Sequence, residues 1–565
     1  MLDTNCQNCK KDFVIDERDQ LYYKKINVPH PTWCSECRLV RRFSFQNTWN
    51  INWRNCDKCG DKTLSVYSPE QKMTIYCQPC WWKDDWDGTE FGMDYDPSRP
   101  FLEQMKELTD KTPYSALTSL YTSNKNCNYA NALAWSKDCY LVFWADFCES
   151  VLYSSLLNTV KYSADCLRAL DCELCYESIG INKCYQTFFS EECEACVDVW
   201  FSRNCYNCTN CIGCANLRGE SYCIFNEKYS KEDYAVKIKE LGLDSWDKLQ
   251  EVQKKSKEFW LTKPYREYSG NSLNLNVTGE YTYESKNSED MYICSGAEDC
   301  RRCQFITVKP AKDCMDYSGW GNNATNIYEG VTVGENADSC YFCLECWPDV
   351  LNLQYCIWSI SGKNNFGCVN LKRKSYCILN KEYPKEEYEK LKAQIIEDMK
   401  KNPYIDIQGR QFGYGEFFPL EFSKFAYNKS NAFKFFPKDK EEALKEGYYW
   451  SETENPTSKS TIESSSVPNS IKDTNEIIIN EIISCSLCSR AYKITKDEFN
   501  LLNKLNLPVP HECPKCRENR RFGRCNPIHL WKRNCNKCNK EINTPFAPER
   551  PEVIYCEKCY QKEFV

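Results

Sequence analysis

Two sets of four C-x-x-C pairs constrain this chain more than any other feature. One set lies near the start, at Cys6/Cys9, Cys34/Cys37, Cys56/Cys59 and Cys77/Cys80. The other lies near the end, at Cys485/Cys488, Cys513/Cys516, Cys535/Cys538 and Cys556/Cys559. The second set repeats the first at a constant offset of 479 residues, so the gaps between pairs are identical. Other residues keep the same offset, among them Pro29 and Pro508, Arg38 and Arg517, Arg41 and Arg520, Arg42 and Arg521, Phe43 and Phe522, Arg54 and Arg533, and Tyr76 and Tyr555. A shared offset over so many positions is an internal duplication.

The spacing points to metal. Zn2+ takes four thiolates in a tetrahedron at about 2.3 Å, and two residues between cysteines let one tight turn present both sulfurs. A second pair returned by a hairpin completes the site. Binding worth roughly 10–16 kcal/mol can fold a module too small for a core of its own. Four thiolates leave no open position, so such sites are structural rather than catalytic. Sequential sharing would group Cys6, Cys9, Cys34 and Cys37, then Cys56, Cys59, Cys77 and Cys80, with the same order at the far end. A cross-braced arrangement would join the first pair to the third. Sequential sharing is favoured, because each half then reads as knuckle, hairpin and second knuckle, and it implies about four Zn2+ ions. Each second knuckle runs into helix-like sequence: CRLVRRF, CWWKDDW, CRENRRF and CYQKEF. That pattern resembles treble-clef and zinc-ribbon folds at each end of the chain.

The 41 cysteines of the 565-residue chain also bear on its compartment. The first residues, MLDTNCQNCKKDF, have no apolar stretch of the kind an export signal needs. No run of about 18 apolar residues exists, so no transmembrane helix is expected. The expectation is a soluble cytoplasmic protein, whose thiols serve as metal ligands or as small buried hydrophobes.

The middle of the chain carries a different pattern. Between Cys127 and Cys223 there are 14 cysteines, and every gap between neighbours is a multiple of three. Written from Cys139 in rows of nine, the segment keeps small residues in its first, fourth and seventh columns. Large apolar residues such as Phe143, Leu152, Ile179, Phe188 and Ile224 fall in the fifth. A nonamer frame with small inward columns predicts a β-solenoid. A less regular copy runs from about Tyr281 to Asn380. Its closing GCVNLKRKSYCILNKEYPKEEY matches GCANLRGESYCIFNEKYSKEDY of the first block, and its register slips between Cys303 and Cys314. One run, Cys205, Cys208, Cys211 and Cys214, approaches an iron–sulfur ligand spacing. All four also fit the small columns, so core packing is the competing reading.

The expected fold is mainly β with helical caps: a cysteine-rich β-solenoid in two blocks flanked by duplicated double-zinc modules. The expected boundaries are 1–95 for the N-terminal module, 96–120 for a connecting helix, 121–226 for the first block and 227–280 for a helical insert. The second block then spans 281–380, a helix and aromatic-rich packing segment 381–450, a flexible linker 451–480, and the C-terminal module 481–565. The linker's composition implies a tethered, mobile C-terminal module.

Function is less legible. A net charge of −7 argues against a polyanion binder along the whole length. The reading favoured is a non-enzymatic scaffold with zinc modules at both ends, binding a protein partner. The alternative is a nucleic-acid partner, RNA rather than DNA. Its candidate contacts are Arg38, Arg41, Arg42 and Arg54, with Arg517, Arg520, Arg521 and Arg533, interleaved with aromatics that can stack on bases. Histidine chemistry is confined to the zinc modules, where His30, His511 and His529 lie, and no catalytic motif appears. Neither a membrane nor a small-molecule substrate is implied. A thiol-redox or metal-handling role is a further alternative. Taken whole, the chain resembles a group of uncharacterised proteins that combine C-x-x-C…CR-x-x-RR zinc modules with cysteine-comb repeats. The resemblance implies this architecture and no particular activity.

Overall fold

The computed structural model describes residues 1–270, 273–452 and 459–564. The fold is a mixture of helices and parallel sheets, and it divides into two compact units. One comprises Met1–Leu117 with Tyr268–Glu452, the other Thr118–Glu267 with Thr453–Val565. Each unit therefore contains one comb and one terminal cysteine module, and the module in each case comes from the far side of the other comb in chain order. Among the described residues no helix is long and apolar enough to cross a membrane.

In the unit holding Thr118–Glu267, eight strands from Asn131–Ala134 to Ser221–Ile224 stack in chain order as neighbours. All are parallel, and the sheet ends in an antiparallel turn to Glu227–Lys228. Their register corrects the expected nine-residue row. Asn131 pairs with Phe143, Phe143 with Ser155 and Ser155 with Leu167, an advance of twelve residues each time. Bridges between the strands keep the same step, from Lys125 to Lys137 to Glu149 to Lys161. Gaps that are multiples of three fit nine and twelve equally, so cysteine spacing alone could not separate them.

The elementary unit is a triplet. Every third residue from Asn126 to Phe225 has a positive φ. Left-handed backbone costs a non-glycine residue roughly 1–2 kcal/mol, so a regular series of them must be held by neighbours. Two of the three N–H groups in a triplet supply that hold. The first residue donates to the next turn of chain, as Lys137 N does to Cys148 O at 2.8 Å, and the left-handed residue donates to the previous turn, as Asp138 N does to Lys125 O at 2.9 Å. The third N–H belongs to the inward residue, and where the inward residue one turn earlier is a serine it meets that hydroxyl. Cys148 N donates to Ser136 Oγ at 3.1 Å, Cys175 N to Ser163 Oγ at 3.0 Å and Cys214 N to Ser202 Oγ at 3.0 Å. The same side chains donate back to the carbonyl two residues earlier, as Ser202 Oγ does to Trp200 O and Cys148 Sγ to Asp146 O. An inward residue must be small, and it profits from being both donor and acceptor. Serine and cysteine satisfy both demands, which accounts for their dominance beyond compactness alone.

A separate apolar cluster lies outside this interior. Tyr176, Phe188, Phe189 and Phe201 of the comb pack with Tyr234, Leu249 and Val252 of helices Lys231–Leu241 and Trp246–Leu261, and with Leu502 and Val509 of the C-terminal module. Val467, Ile471 and Ile478 belong to the same cluster, and Trp246 N donates to Asn469 O at 2.7 Å. The expected flexible linker is corrected accordingly. Residues 459–480 bury apolar side chains against the comb's helices, and the C-terminal module is docked rather than tethered. Residues 453–458 of that linker lie outside the described residues.

The other unit repeats the plan with less regular turns. Ile357 pairs with Val369 at the twelve-residue step, whereas Gln304 pairs with Ser318 and Ala311 with Ala324. The slip between Cys303 and Cys314 is thus absorbed as longer turns. Helix Lys385–Lys401 buries Tyr388, Ile395 and Met399. In the aromatic segment that follows, Phe417 meets Phe45 of the N-terminal module at 5.3 Å and Phe418 meets Tyr355 of the comb at 5.8 Å. Helix Phe101–Lys111 begins after Pro100, whose fixed φ suits that position.

Candidate metal centres and their arginine clasps

The sixteen terminal cysteines gather into four tetrads: Cys6, Cys9, Cys34 and Cys37; Cys56, Cys59, Cys77 and Cys80; Cys485, Cys488, Cys513 and Cys516; and Cys535, Cys538, Cys556 and Cys559. The grouping is sequential, not cross-braced. Within each tetrad every sulfur lies within 4.8 Å of the others. Cys9 and Cys34 approach at 3.8 Å, Cys59 and Cys77 at 3.9 Å, and Cys488 and Cys513 at 3.7 Å. A tetrahedron with metal–sulfur bonds of about 2.3 Å has edges of about 3.8 Å. The donor set and its spacing therefore fit a tetrahedral thiolate-bound ion, and the four tetrads can bind metal.

Local sequence builds each site the same way. The first pair sits at a hairpin tip, as between Leu2–Asn5 and Asp12–Ile15 or between Trp531–Asn534 and Glu541–Thr544. The residue after the second cysteine is left-handed at Lys10, Gly60, Ser489 and Asn539, and its N–H closes the turn onto the first cysteine's carbonyl at 2.9 Å in all four. The second pair opens a helix. Cys34 caps Ser35–Ser44, Cys77 caps Gln78–Trp82 and Cys513 caps Pro514–Arg524. Helix N-termini and inward N–H groups favour negative sulfur. Cys34 N donates to Cys6 Sγ at 3.2 Å, Cys77 N to Cys56 Sγ at 3.1 Å and Cys556 N to Cys535 Sγ at 3.2 Å. Burial pushes the leading thiols up, yet backbone N–H donors more than offset it, holding Cys56 and Cys485 at about 7 and Cys535 at about 6. Cys6 is also lowered, chiefly by the thiols of Cys34 and Cys37.

No protein-family model matches this chain, and no curated protein matches it. What the sites do must be read from their geometry.

The candidate contact arginines turn onto the chain's own combs. Arg38 pairs with Asp316, Arg42 reaches the same carboxylate at 3.6 Å, and Arg41 grips Glu329 through both oxygens at 2.8 and 2.9 Å. Arg41 also lies over the Trp33 ring at 4.2 Å. In the other unit Arg517 pairs with Asp165 at 2.8 Å, Arg521 with Asp165 at 2.6 Å and Glu177 at 3.0 Å, and Arg520 with Glu177 at 3.1 Å. Arg38, Arg41, Arg42, Arg517 and Arg521 are at most 2% exposed. Arg54 and Arg533 brace their own modules, donating to the carbonyls of Ser68 and Met73, and of Ala547 and Glu552. The face drawn from the sequence as a contact surface is, in this structure, mostly an internal clasp.

Sequence reading missed the acids that receive these arginines. Asp165 and Glu177 lie twelve residues apart in one left-handed column, which a nine-residue frame splits. Glu498 is the duplicate of Asp19 at the 479-residue offset. It bonds Arg517 at 2.9 Å and Tyr153 Oη at 2.7 Å, while Asp19 binds Arg301 and Arg302 of the second comb. The constant offset contained that signal.

The run Cys205, Cys208, Cys211 and Cys214 is not gathered as a cluster site would require. These cysteines occupy successive inward positions of one twelve-residue turn, and no three of their sulfurs share the close spacing of the terminal tetrads. Each thiol donates to the carbonyl two residues back, from Arg203 O to Ile212 O. Their placement is that of packed interior side chains.

Proposed function

We propose that this protein is a non-enzymatic, zinc-dependent scaffold whose combs are β-solenoids with a twelve-residue turn and whose ends are pairs of treble-clef-like or ribbon-like zinc sites. The observation that carries this reading is the closure of the tetrads: four thiolates surround each candidate position and leave none for substrate. Soft thiolate donors in tetrahedral array favour zinc over hard cations. Two of the helices opened by tetrad cysteines carry the clasping arginines, so bound ions would hold modules onto combs and keep two broad surfaces in fixed form. Such surfaces suit a protein partner. Metal analysis of the purified chain tests the metal part, with about four zinc per chain and no iron expected. A count near zero after purification without chelator would sink it. Affinity capture from native extract tests the scaffold part, which predicts a stoichiometric protein partner.

A further inference from the structure

Most of the comb's thiols are sealed inside, but one is not. The first full turn of the first comb presents four inward residues: Cys127, Ala130, Leu133 and Ser136. The preceding chain covers three of them. Thr118 N donates to Asn131 Oδ1 at 2.9 Å, Leu133 N donates to Ser119 Oγ at 3.1 Å, and Ser136 N donates to Asn124 Oδ1 at 2.9 Å. Ala130, Leu133 and Ser136 are accordingly buried. Cys127 heads the uncovered column and remains half-buried, whereas Cys139 directly beneath it is 1% exposed. The two are in register, because Lys125 pairs with Lys137 and Asn128 with Tyr140 on either side of them. Neighbouring parallel strands lie about 4.8 Å apart, within the Cα separation a disulfide spans, ~4.4–6.8 Å.

We propose that Cys127 and Cys139 form a redox-modification site: a hydroperoxide oxidises Cys127, and Cys139 resolves the product as a disulfide. The Cys127 thiolate attacks one peroxide oxygen, the S–O bond forms as the O–O bond breaks, and the departing oxygen leaves as hydroxide or alkoxide and takes up a proton. Sulfur loses two electrons and the peroxide gains them. Cys139 then attacks the sulfenic sulfur, the S–S bond forms, and the S–O bond breaks with loss of water that carries the Cys139 proton.

Access and surroundings together favour this pair. The neighbouring Cys139 thiol outweighs burial, and with the nearby backbone N–H groups it holds the Cys127 thiol at about 7 despite the Asp138 carboxylate. Lys125 and Lys137 occupy the adjoining outward positions of the two turns. By contrast, burial pushes Cys148 up to about 12, and Cys525, the other half-buried thiol outside the tetrads, up to about 11. Reactivity follows thiolate character and access together.

The test uses the full-length, metal-loaded protein and hydrogen peroxide. Brief alkylation followed by peptide mapping should label Cys127 at least tenfold faster than Cys525 or any other comb cysteine. Peroxide treatment should yield a Cys127–Cys139 disulfide that thiol reductant reverses. Cys139→Ser keeps the inward donor and acceptor, so it should fold, lose the disulfide and accumulate a dimedone adduct at Cys127. Cys127→Ser should abolish both products. The proposal is overturned if Cys127 alkylates no faster than Cys525, if oxidation is confined to the terminal tetrads with metal release, or if Cys139→Ser leaves the yield of Cys127 disulfide unchanged.

Discussion

At the residue scale the clasps place charge where charge is costly. Asp165 is fully buried between Arg517 and Arg521. Removing one partner from a buried ionic group typically costs ~3–5 kcal/mol, because the other charge is left stranded. Asp165→Ala should therefore lower the denaturation free energy of its unit by about that amount, read from urea melts. Two glutamates should respond to pH with opposite sign. Burial pushes Glu177 up, but Arg520, Arg521 and Arg524 together hold its carboxyl below the usual value of 4.5. Its stabilising share is then present above that value and lost as pH falls below it, and Glu177→Gln should blunt the acid limb of the stability profile. Glu345 is raised to about 8 by burial. It keeps its proton in the folded chain and gives it up when unfolded, so stability drains away as pH rises from about 4.5 through about 8. Glu345→Gln should flatten that decline and raise stability by ~2 kcal/mol near neutral pH, measured as a shifted urea midpoint.

At the scale of the element, the comb's rule concerns hydrogen bonding as much as size. Ser190 Oγ accepts from Ser202 N at 3.0 Å and donates to Phe188 O at 2.9 Å. Ser190→Ala fits the space yet strands a buried N–H, and should cost roughly 1–3 kcal/mol, whereas Ser190→Cys should be nearly neutral. Equal losses from both variants, in thermal melts, would refute the rule. Much of the terminal architecture was legible because ligand chemistry fixes spacing: the constant offset from Cys6 to Cys485 already implied four tetrads. The comb's inward columns were legible for a similar reason, since only small side chains fit them. Its turn length was not. Spacing from Cys205 to Cys214 shows a triplet and leaves open how many triplets close a turn, a matter settled by the strand register, which advances twelve residues from Asn131 to Phe143 to Ser155. The clasps were hidden for the same reason, because their acids share a column only in a twelve-residue frame.

At the scale of the whole molecule, each unit is assembled from distant stretches of chain. A chain truncated at residue 480 would remove Arg517, Arg520 and Arg521 from the comb that receives them. It should speed amide exchange across the strands from Ser155–Lys161 to Val197–Trp200 and leave the clasps of Arg38, Arg41 and Arg42 protected. Uniform protection in both combs after truncation would show that the C-terminal module contributes nothing to its unit. Chelation should act more broadly, loosening both combs, because each arginine helix begins at a tetrad cysteine.

This crossed arrangement gives the chain a timetable as it is made. Glu177 leaves the ribosome roughly 350 residues before Arg524, a wait of about 20–70 s at ~5–20 residues per second. Through that interval the first comb carries buried-to-be acids with no counterpart yet in existence, and an aromatic face covered only by helices Lys231–Leu241 and Trp246–Leu261. The N-terminal module waits in the same way for Asp316 and Glu329. A newly made chain therefore spends most of its synthesis half-clasped, and that is when a chaperone, or a neighbouring copy on the same message, would find it most receptive.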